Sequence, residues 1–350
     1  MKKVALLSLF SVLYIYSGFA QNTPETRYKI ATVGFYNLEN LFDTENDTSI
    51  NDEEWLPTAS KLYTNEIYRD KLGNLSHVIS LLGKEETPDG LAVIGVAEIE
   101  NKRVLEDLCA MPKIKSRNYQ IVHYNSPDAR GIDVALLYNP SYFKVLESGP
   151  LNVPLKNPDG TPYATRDVLW VYGLFNGEPM YFFVNHWPSR RGGEEASAPS
   201  RALAAGVAKA KMDSITAIHP DAKMMVMGDL NDDPLSPSVV NVLKSEGDID
   251  KLEPGEIYNP WANYYKKGIG TLAYNDAWNL FDQIMITQPY LNQNQDGFFF
   301  QKAVIFNRPF MVQKSGRYRG YPLRTFDFDI YMRGYSDHFP VYVVLLKKIN

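Results

Sequence analysis

The sequence contains little cysteine, and its net charge is far from strongly basic. Cys109 is the single cysteine among 350 residues, so no disulfide can form within the chain. Stability must therefore come from a hydrophobic core, in which we predict Cys109 to be a small buried side chain. The formal net charge of −5 excludes a protein that is held to nucleic acid by overall positive charge alone.

A long apolar run is also lacking, except near the amino terminus. There, a basic start and the apolar residues 4–16 precede Gly18 and Ala20, the small residues that a signal peptidase prefers. The run is too short to span a bilayer comfortably. We predict that residues 1–20 are a cleaved secretory signal peptide, with a retained anchor as the alternative. The mature protein would then be secreted, periplasmic or on a bacterial cell surface, without a transmembrane anchor.

No internal repeat or linker-like segment divides the remainder, so we predict one domain over residues 21–350. Apolar residues make up 45% and charged residues 22% of the chain, which is typical of a globular protein. Helical spacing of apolar residues predicts helices at 60–82 and 200–218 and a short one at 102–109. Runs rich in β-branched and aromatic residues predict strands at 28–35, 91–97, 119–123, 134–138, 143–147, 168–174, 181–185, 224–227, 283–286, 302–306 and 341–345. Many strands with few helices predict two packed sheets with helices outside.

Acid, amide and imidazole side chains lie at the ends of several predicted strands. If these strands are neighbours, their polar ends converge on one rim of the sheets. A site rich in oxygen ligands suits Mg²⁺, Mn²⁺ or Ca²⁺ better than structural Zn²⁺. Each residue alone could also belong to a turn or a helix cap, but the joint occurrence predicts a functional site. The residues concerned are Asn37, Glu98, His186, Asp229, Asn231, Asp282, Asp337 and His338.

Five of these segments resemble the motifs of a known family, in the family's order. They are Phe-Tyr-Asn-Leu at 35–38, Ala-Glu-Ile-Glu at 97–100, Gly-Asp-Leu-Asn at 228–231, Phe-Asp-Gln-Ile at 281–284 and Ser-Asp-His-Phe-Pro at 336–340. The chain thus resembles the endonuclease/exonuclease/phosphatase superfamily, which includes pancreatic-type deoxyribonucleases, abasic-site endonucleases, inositol-polyphosphate phosphatases and bacterial sphingomyelinases. The resemblance implies a deoxyribonuclease I-like fold, a four-layer α/β sandwich of two mixed β-sheets flanked by helices.

The resemblance also implies a metal site and a water-activating group. Glu98 would be the chief metal ligand, and Asn37 and Asp337 would complete or orient the coordination shell. Mg²⁺ is the expected ion, with Mn²⁺ or Ca²⁺ as alternatives. Asp229 would orient or deprotonate the attacking water, and Asn231 would donate hydrogen bonds to the phosphate.

The two histidines receive different roles from the resemblance. His338 would accept a proton from the attacking water or position it, while Asp282 holds its other ring nitrogen. The sequence leaves open whether Asp229 or His338 is the general base. His186 would protonate the leaving group or bind a phosphate oxygen, with Asp133 as its candidate partner.

Basic residues near these motifs suggest how substrate is bound. The residues predicted to contact phosphate are Arg190, Arg191, Arg166 and Arg130, with a solvated loop as the alternative for the first two. Asp232 and Asp233, which follow the Gly-Asp-Leu-Asn motif, are predicted to be turn residues only. The segment 301–333 interleaves basic and aromatic residues, and is either an electropositive wall for substrate or a solvated hairpin surface.

These observations predict a secreted, divalent-metal-dependent phosphoesterase that cleaves phosphodiester bonds, with a nuclease acting on DNA or RNA as the favoured case. A phosphatase or a phospholipase C- or sphingomyelinase-like hydrolase of a sugar, inositol or lipid phosphate is the alternative. A non-catalytic binding protein on the same fold is a remote third. No protein partner can be inferred, and we expect a monomer.

Overall fold

Two β-sheets face each other in this protein, whose computed structural model describes residues 26–349. Helices cover the outer face of each sheet, so the chain forms the predicted four-layer α/β sandwich. The predicted signal peptide at residues 1–20 lies outside the described residues. In the described part, no helix has both the length and the apolar character needed to cross a membrane.

The strands lie where the sequence predicts them, and several short strands are added. They are β1 (Arg27–Leu41), β2 (Val93–Ile99), β3 (Gln120–His123), β4 (Asp133–Tyr138), β5 (Phe143–Leu151), β6 (Val168–Phe175), β7 (Glu178–His186), β8 (Lys223–Asp229), β9 (Ser245–Glu246), β10 (Ile257–Tyr258), β11 (Leu272–Tyr274), β12 (Ala277–Asn279), β13 (Asp282–Thr287), β14 (Phe299–Ile305), β15 (Phe326–Asp327), β16 (Ile330–Tyr331) and β17 (Val341–Ile349).

Three longer helices and one short helix connect these strands. Thr64 and Asn101 cap the first two, since their side-chain oxygens accept hydrogen bonds from the backbone N–H groups of Ile67 and Val104. The helices are α1 (Asn65–Leu81), α2 (Lys102–Ala110), α3 (Glu194–Ile218) and α4 (Ala262–Tyr265). Short 3₁₀ helices lie at Glu53–Trp55, Lys115–Arg117, Ile249–Lys251, Gln288–Leu291 and Pro309–Met311, and a π-helical turn lies at Ser238–Val242.

Both large sheets are mixed. The six-stranded sheet has the order β14-β17-β1-β2-β4-β3, in which β1 and β2 are parallel. The seven-stranded sheet has the order β5-β6-β7-β8-β13-β10-β9, with β7 and β8 parallel. The central strands β1, β2, β7 and β8 therefore end at the same rim of the sandwich, where the polar motifs lie. Two separate hairpins, β11-β12 and β15-β16, flank this rim.

Three hydrophobic cores hold the layers together. Alternation along β1 places Val33 and Phe35 between the two sheets, whereas Tyr36 and Leu38 face the layer of α1 and α2. A third core packs α3 against the seven-stranded sheet. The sheets approach closely at Gly95, because a Cβ atom at this position would lie 2.6 Å from the sulfur of Met227.

Helix α3 begins earlier than the sequence predicts. It starts at Glu194 and contains Pro199, although the prediction began at residue 200. Proline removes one backbone hydrogen bond from a helix, here the one to the carbonyl oxygen of Glu195. Side chains donate to the two preceding carbonyl groups at the start of the helix. The guanidinium of Arg201 donates to the carbonyl oxygen of Glu194 over 2.9 Å, and the hydroxyl of Ser197 donates to that of Gly193 over 2.6 Å.

Candidate active site

Three neighbouring strands carry one row of buried polar side chains. His186 ends β7, Asp229 ends β8 and Asp282 begins β13. Asp229 is the direct register partner of both other residues, of His186 in the parallel pair and of Asp282 in the antiparallel pair. Because paired positions present their side chains on the same face of a sheet, the three groups lie side by side. The predicted convergence of these strand ends is therefore observed.

Gly228 lets β7 and β8 approach each other at this row. A Cβ atom at Gly228 would lie 2.2 Å from the carbonyl oxygen of Asn185, and its φ of 157° is one that side-chain-bearing residues rarely adopt. The side-chain nitrogen of Asn185 in turn donates to the carbonyl oxygen of Met227 over 3.1 Å. The glycine of the Gly-Asp-Leu-Asn motif is thus required for the backbone packing that positions Asp229.

The six-stranded sheet contributes Asn37 and Glu98 through matching irregularities in β1 and β2. The pairing of these strands shifts register between Asn37 and Leu41, and Glu98 has a left-handed φ of 59°. The amide nitrogen of Asn37 donates to Oδ2 of Asp229 over 3.0 Å, so it joins the two sheets at the site. Glu98 accepts a hydrogen bond at Oε2 from the backbone N–H of Asn40 over 2.9 Å.

A buried lysine, which the sequence prediction missed, supports this irregular part of β1. Nζ of Lys71 donates to the carbonyl oxygens of Glu39 and Asn40, and to the hydroxyl of Thr325 over 3.2 Å. The carboxylate of Glu39 accepts from the backbone N–H of Thr325 over 2.7 Å. Burial lowers the pKa of Lys71 and raises that of Glu39, while each charge opposes the shift of the other. The network holds the segment whose N–H group fixes Glu98.

His338 lies opposite the row and is fixed at both ends. Nδ1 donates to Oδ2 of Asp282 over 2.7 Å, and the hydroxyl of Thr271 donates to the same oxygen over 2.5 Å. The backbone N–H of His338 donates to Oγ of Ser336, whose hydroxyl donates to the carbonyl oxygen of Asn37 over 2.8 Å. The predicted pairing of Asp282 with His338 is present, and Thr271 is an additional support that no motif indicated.

The two histidines differ in charge. Burial alone would lower the pKa of His338, but the carboxylates of Asp282 and Asp229 outweigh it, so its pKa lies well above the ordinary value. Burial lowers the pKa of His186 well below the ordinary value, and the positive charges of Arg166 and Arg130 act in the same direction. In the ion-free site, these directions favour the charged form of His338 and the neutral form of His186 at neutral pH.

Asp229 is a weakly acidic carboxyl at the centre of the site. Burial raises its pKa to about 7; the neighbouring carboxylates of Asp282 and Glu98 raise it too, while charged His338 opposes them. Nε2 of His338 lies 3.8 Å from Oδ2 of Asp229. Crowded, desolvated carboxylates of this kind are stabilised in their charged form by a bound cation.

Glu98, His186 and Asp229 form a group that fits a divalent ion. One ligand atom from each lies within 4.8 Å of the others. Nε2 of His186 lies 3.8 Å from Oε1 of Glu98 and 3.7 Å from Oδ2 of Asp229. Two carboxylates with one neutral imidazole form a donor set that accepts Mg²⁺, Mn²⁺ or another hard divalent ion. The residues present therefore fit the metal that the sequence predicts.

Of the three metal ligands predicted from the sequence, one belongs to this group and the other two lie beside it. Glu98 belongs to it, and Asn37 adjoins it through its hydrogen bond to Asp229. Asp337 is partly exposed; its carboxylate lies 3.3 Å from the guanidinium of Arg324 and 3.9 Å from Nε2 of His338. The sequence did not predict that His186 and Asp229 would be the ligands beside Glu98. The position of a residue at a strand end can be read from the sequence, but the direction of its side chain cannot.

The predicted pairing of His186 with Asp133 is wrong. Asp133 Oδ2 lies 2.8 Å from Nε2 of His123, and its Oδ1 accepts from the backbone N–H of Ser126 over 2.7 Å. His123 lies on β3, directly beside the strand β4 that begins with Asp133, so the antiparallel neighbour supplies the partner. Nδ1 of His186 has no hydrogen-bond partner among the described residues.

Arg166 has a structural role, in place of the predicted phosphate contact. Its side chain is buried, and Nε and Nη2 donate to the carbonyl oxygens of His186 and Trp187 over 3.2 and 2.6 Å. Nη1 donates to Asp128 over 2.9 Å. With its donors engaged in this way, Arg166 fixes the backbone at the end of β7 and so positions His186.

Arg190 is also held by the protein itself. Nε donates to the carbonyl oxygen of Asn231 over 2.9 Å, and the other nitrogens lie within 3.3 Å of the carboxylates of Asp232, Asp233 and Glu194. The geometry favours an anchoring role over the predicted phosphate contact. Arg191 is exposed and forms no ion pair with the described residues, and Arg130 is exposed with only a 3.9 Å approach to Asp128. The phosphate role of these two stays a prediction.

The loop after β8 is more than the predicted turn. Asp232 accepts from the hydroxyl of Ser238 over 2.5 Å and lies 2.7 Å from Nε of Arg201, and Asp233 accepts from the backbone N–H of Leu280 over 2.8 Å. Both acids are buried and tie the loop to α3 and β13.

Asn231 has a left-handed φ of 48°. Its side-chain nitrogen donates to the carbonyl oxygen of Trp187 over 3.0 Å, leaving one N–H for a ligand.

The basic residues of the segment 301–333 are mostly paired with acids. Lys302 lies 2.7 Å from Glu86, Arg308 2.5 Å from Glu85, Arg324 3.3 Å from Asp337, and Arg333 3.2 Å from Asp70. A wall of free positive charge along the whole segment is therefore absent from the described structure. Lys314, Arg317 and Arg319 form no ion pair there, and the guanidinium of Arg317 lies over the ring of Tyr318.

Comparisons with known proteins agree with this fold. No curated protein matches the chain in sequence. Among solved structures, an endonuclease/exonuclease/phosphatase family protein of Bacteroides thetaiotaomicron has a TM-score of 0.55 at 16% identity, over 92% of this chain and all of that one. TDP2 of D. rerio, complexed with single strand DNA product, has a TM-score of 0.54 at 16% identity, over 90% and 98%. The B. thetaiotaomicron mannosyl-6-phosphatase Bt3783 has a TM-score of 0.52 at 18% identity, over 90% and 99%.

At these identities the solved structures show the fold alone. Sequence evidence is stronger, because the model of one family matches residues 32–347, nearly the whole described chain. The match includes every residue of the buried row, both histidines of the site and the Gly-Asp-Leu-Asn motif. The chain therefore belongs to the endonuclease/exonuclease/phosphatase family, whose members hydrolyse phosphate esters.

Proposed function

We propose that this protein is a secreted, divalent-metal-dependent phosphodiesterase that cleaves nucleic acid. Phosphoester hydrolysis is the activity of the family, and the choice of a diester in DNA or RNA is the step beyond it. The observation that carries the proposal is the row of His186, Asp229 and Asp282 facing charged His338. This arrangement provides metal ligands, a weakly acidic carboxyl and a fixed cationic donor around one small space.

The charge of each side chain indicates its role in the proposed reaction. A divalent ion held by Glu98, His186 and Asp229 would neutralise charge on the phosphoryl oxygens. His338, held as a cation by Asp282, donates a hydrogen bond to a phosphate oxygen. Asp229 and His338 stay the two predicted bases for the attacking water. The free N–H of Asn231 binds a second phosphate oxygen.

The proposed role of His186 follows from its neutrality. As a metal ligand it supplies Nε2, which in the neutral ring carries a lone pair. A neutral imidazole is a poor acid, so its predicted role as proton donor to the leaving group is less favoured than ligation. Arg166 contributes here through its positive charge and its hydrogen bonds to the adjacent backbone, both of which keep His186 neutral and in place.

Secretion is proposed from the sequence of residues 1–20, which has the basic start, apolar core and small-residue end of a signal peptide. An extracellular or periplasmic enzyme of this type would meet nucleic acid released from lysed cells. Mass spectrometry of the protein recovered from a culture of its source organism tests this directly. We expect the mature chain outside the cytoplasm and beginning at Gln21.

The second candidate is hydrolysis of a sugar, inositol or lipid phosphate. The pairing of most basic residues in the segment 301–333 with acids favours it, since a long polyanion needs free positive charge along its path. The solved relatives do not decide between the candidates, because one is complexed with DNA product and another is a mannosyl-6-phosphatase.

One assay separates the candidates. The purified mature chain is incubated with Mg²⁺, Mn²⁺ or Ca²⁺ and with plasmid DNA, single-stranded DNA, RNA, sphingomyelin, inositol phosphates or mannose 6-phosphate, with and without a chelator. We expect chelator-sensitive cleavage of nucleic acid to be the fastest reaction. Faster release of phosphate from a sugar or inositol phosphate, or faster cleavage of sphingomyelin, would favour the second candidate.

A substitution links the activity to the site. His338→Ala removes the cationic donor, and general acid–base or hydrogen-bonding groups of this kind contribute about 10²–10⁴-fold to rate. We expect cleavage to fall by that factor, whereas His123→Ala, which removes the histidine of the remote Asp133 pair, should keep the rate of the folded protein. Cleavage at a near-normal rate by His338→Ala would contradict the site assignment, and chelator-insensitive or absent hydrolysis of every substrate would contradict the enzyme proposal.

A further inference from the structure

A cavity of about 510 Å³ opens directly beside the catalytic residues. Asp337, which precedes His338, and Arg324, which pairs with Asp337, belong to its lining. Its walls come from the β11-β12 hairpin and from residues 313–332, the segment that the sequence singled out as basic and aromatic. We call this cavity the aromatic cleft, after the lining residues Tyr274, Arg317, Tyr318, Tyr321, Arg324 and Phe328.

Aromatic contacts connect the inner wall of the aromatic cleft to the residue that follows His338. The hydroxyl of Tyr321 donates to Asp276 over 2.7 Å and accepts from the backbone N–H of the same residue over 2.7 Å. The ring of Trp278 lies 6.2 Å from that of Tyr321 and stacks on Phe339, at 6.1 Å and 15°. Phe339 follows His338, so the wall is positioned relative to the reacting phosphate.

The outer part of the aromatic cleft exposes two large rings. Tyr274 is 70% exposed and Phe328 is 82% exposed, although side chains of this size normally gain stability from burial. Phe328 also has a left-handed φ of 52°, at the turn of the β15-β16 hairpin. Such a conformation is uncommon for a bulky residue. Neither ring belongs to the hydrophobic cores, so folding alone does not account for them.

The aromatic cleft favours a ligand that carries a flat ring, on the basis of its aromatic faces and one arginine. Its charged lining residues are Arg317, Arg324, Asp276, Asp327 and Asp337, so overall positive charge does not select the ligand. Arg317 forms no ion pair with the described residues, and its guanidinium lies 5.6 Å from the centre of the Tyr318 ring. Aromatic faces together with an arginine form the combination that binds single-stranded nucleic acid, by stacking on bases and attraction to phosphate. Of the other basic residues of the segment 301–333, Lys302, Arg308, Arg324 and Arg333 are paired with acids, whereas Lys314 and Arg319 form no ion pair with the described residues.

We propose that the aromatic cleft binds one unstacked base of single-stranded nucleic acid, next to the phosphate that is cleaved. The inference rests on the proposed nuclease function and specifies its substrate class. A base in a duplex is paired and stacked, and moving it into the cleft costs a few kcal/mol. The enzyme therefore prefers single strands, frayed ends and loops to intact duplex.

The test uses the full mature chain with Mg²⁺ or Mn²⁺ and an end-labelled oligodeoxynucleotide, its duplex, and the same strand with every base removed. We expect the wild type to cleave the single strand at least tenfold faster than the duplex. Tyr274→Ala and Phe328→Ala should each raise KM for the single strand about tenfold, which corresponds to about 1.4 kcal/mol, with kcat within twofold. The strand without bases should be cleaved equally by the wild type and both variants.

Tyr163→Ala is the matched control, since Tyr163 is half-exposed and does not line the aromatic cleft. It should leave KM for the single strand unchanged. Because all three side chains are exposed, the variants should unfold at the same temperature as the wild type.

An unchanged KM in both cleft variants, or equal cleavage of duplex and single strand, overturns the cleft proposal while nuclease function stands. Cleft variants that impair only hydrolysis of a sugar or lipid phosphate overturn it as well. Failure of the wild type to cleave any oligonucleotide, with or without bases, overturns the nuclease function itself.

Discussion

At the scale of single residues, the protein contains two buried aspartate–histidine pairs with different surroundings. Asp282 accepts from His338 and from Thr271 at one oxygen, and this pair faces Asp229 across the site. Asp133 is paired with His123 at the edge of the six-stranded sheet. Under the proposed function, similar contacts serve the reaction in one place and the fold in the other. Proximity to the metal-binding group distinguishes them.

Asp282→Asn tests the catalytic pair. The substitution keeps the size of the side chain but removes the carboxylate that contributes most to raising the pKa of His338, so that pKa should fall toward the ordinary value. The neutral ring then loses its charged hydrogen bond to phosphate, and we expect kcat to fall about 10²–10³-fold. Steady-state kinetics with oligonucleotide substrate and NMR titration of His338 measure the two effects.

Asp133→Asn is the control for this prediction. It should lower the free energy of unfolding by about 1–3 kcal/mol, because a buried hydrogen-bonded group is altered, while kcat of the folded protein stays near the wild-type value. If both variants lost kcat equally, the losses would reflect a general effect of altering a buried pair on the fold. That result would contradict the role given to Asp282.

Cys109 provides a prediction that depends on pH. The side chain is only partly buried, short of the full burial predicted from the sequence, and packs against the core beneath α1 and α2. Desolvation there raises the pKa of its thiol to about 12. Only the thiolate is nucleophilic, so at pH 8 the native thiol should react with iodoacetamide about 10³-fold more slowly than an exposed cysteine. The rate should rise as the pH increases toward 12 and should become ordinary in urea. Rapid labelling of the native protein at pH 8, read by mass spectrometry, would contradict the burial of this group.

At the scale of elements, the close packing of β7 and β8 depends on Gly228. A methyl group there would overlap the carbonyl of Asn185, so Gly228→Ala must separate the strands that carry His186 and Asp229. We expect the free energy of unfolding to fall by more than about 1 kcal/mol, and kcat to fall even where the variant is fully folded. Urea denaturation and steady-state kinetics measure these changes.

Gly206→Ala separates this effect from a general effect of replacing glycine. Gly206 lies within α3, and an added Cβ would meet only the side chain of Val242 at 3.9 Å, an ordinary contact. Alanine at such a helical position should raise the free energy of unfolding by about 0.4–1 kcal/mol and leave kcat unchanged. A loss of stability there equal to that of Gly228→Ala would show that strand packing is not the cause.

The elements themselves could largely be predicted from the sequence. Most long strands coincide with runs of apolar residues, because alternate side chains of these strands enter two different cores. The location of the site at the rim of the sheets could also be predicted from the sequence. Polar residues end the apolar runs, because they cannot continue into a core. The irregularity between Asn37 and Leu41 could not be predicted, because it depends on Lys71 from α1 and Thr325 from a distant segment.

Side-chain partners were the least predictable part of the site. Arg190 and Arg166 have the chemistry of phosphate ligands, but the protein uses them to hold Asp232, Asp233 and Asp128. These contacts join residues far apart in sequence, and no local pattern distinguishes an arginine that binds substrate from one that binds an acid. The same reason explains why Asp133 was assigned to the wrong histidine.

At the scale of the whole molecule, metal binding and stability should be linked. An ion that binds only the folded state stabilises it by about 2.7 kcal/mol at 100 times its Kd. Both sheets contribute ligands, Glu98 from β2 and His186 and Asp229 from β7 and β8, so the ion would join the two halves of the sandwich. We expect saturating Mn²⁺ or Mg²⁺ to raise Tm by about 5 °C, and a chelator to reverse the rise and abolish cleavage.

Two substitutions decide which residues hold the ion. Glu98→Gln weakens the group of Glu98, His186 and Asp229, and should remove most of the metal-dependent rise in Tm. Asp337→Asn should keep that rise, because Asp337 is paired with Arg324 outside the group. If Asp337→Asn removes the rise as completely as Glu98→Gln does, the ligand set implied by the sequence is correct, and the one drawn from the geometry is wrong. Measuring Tm makes the outcome independent of the substrate, since both variants can be compared without any turnover.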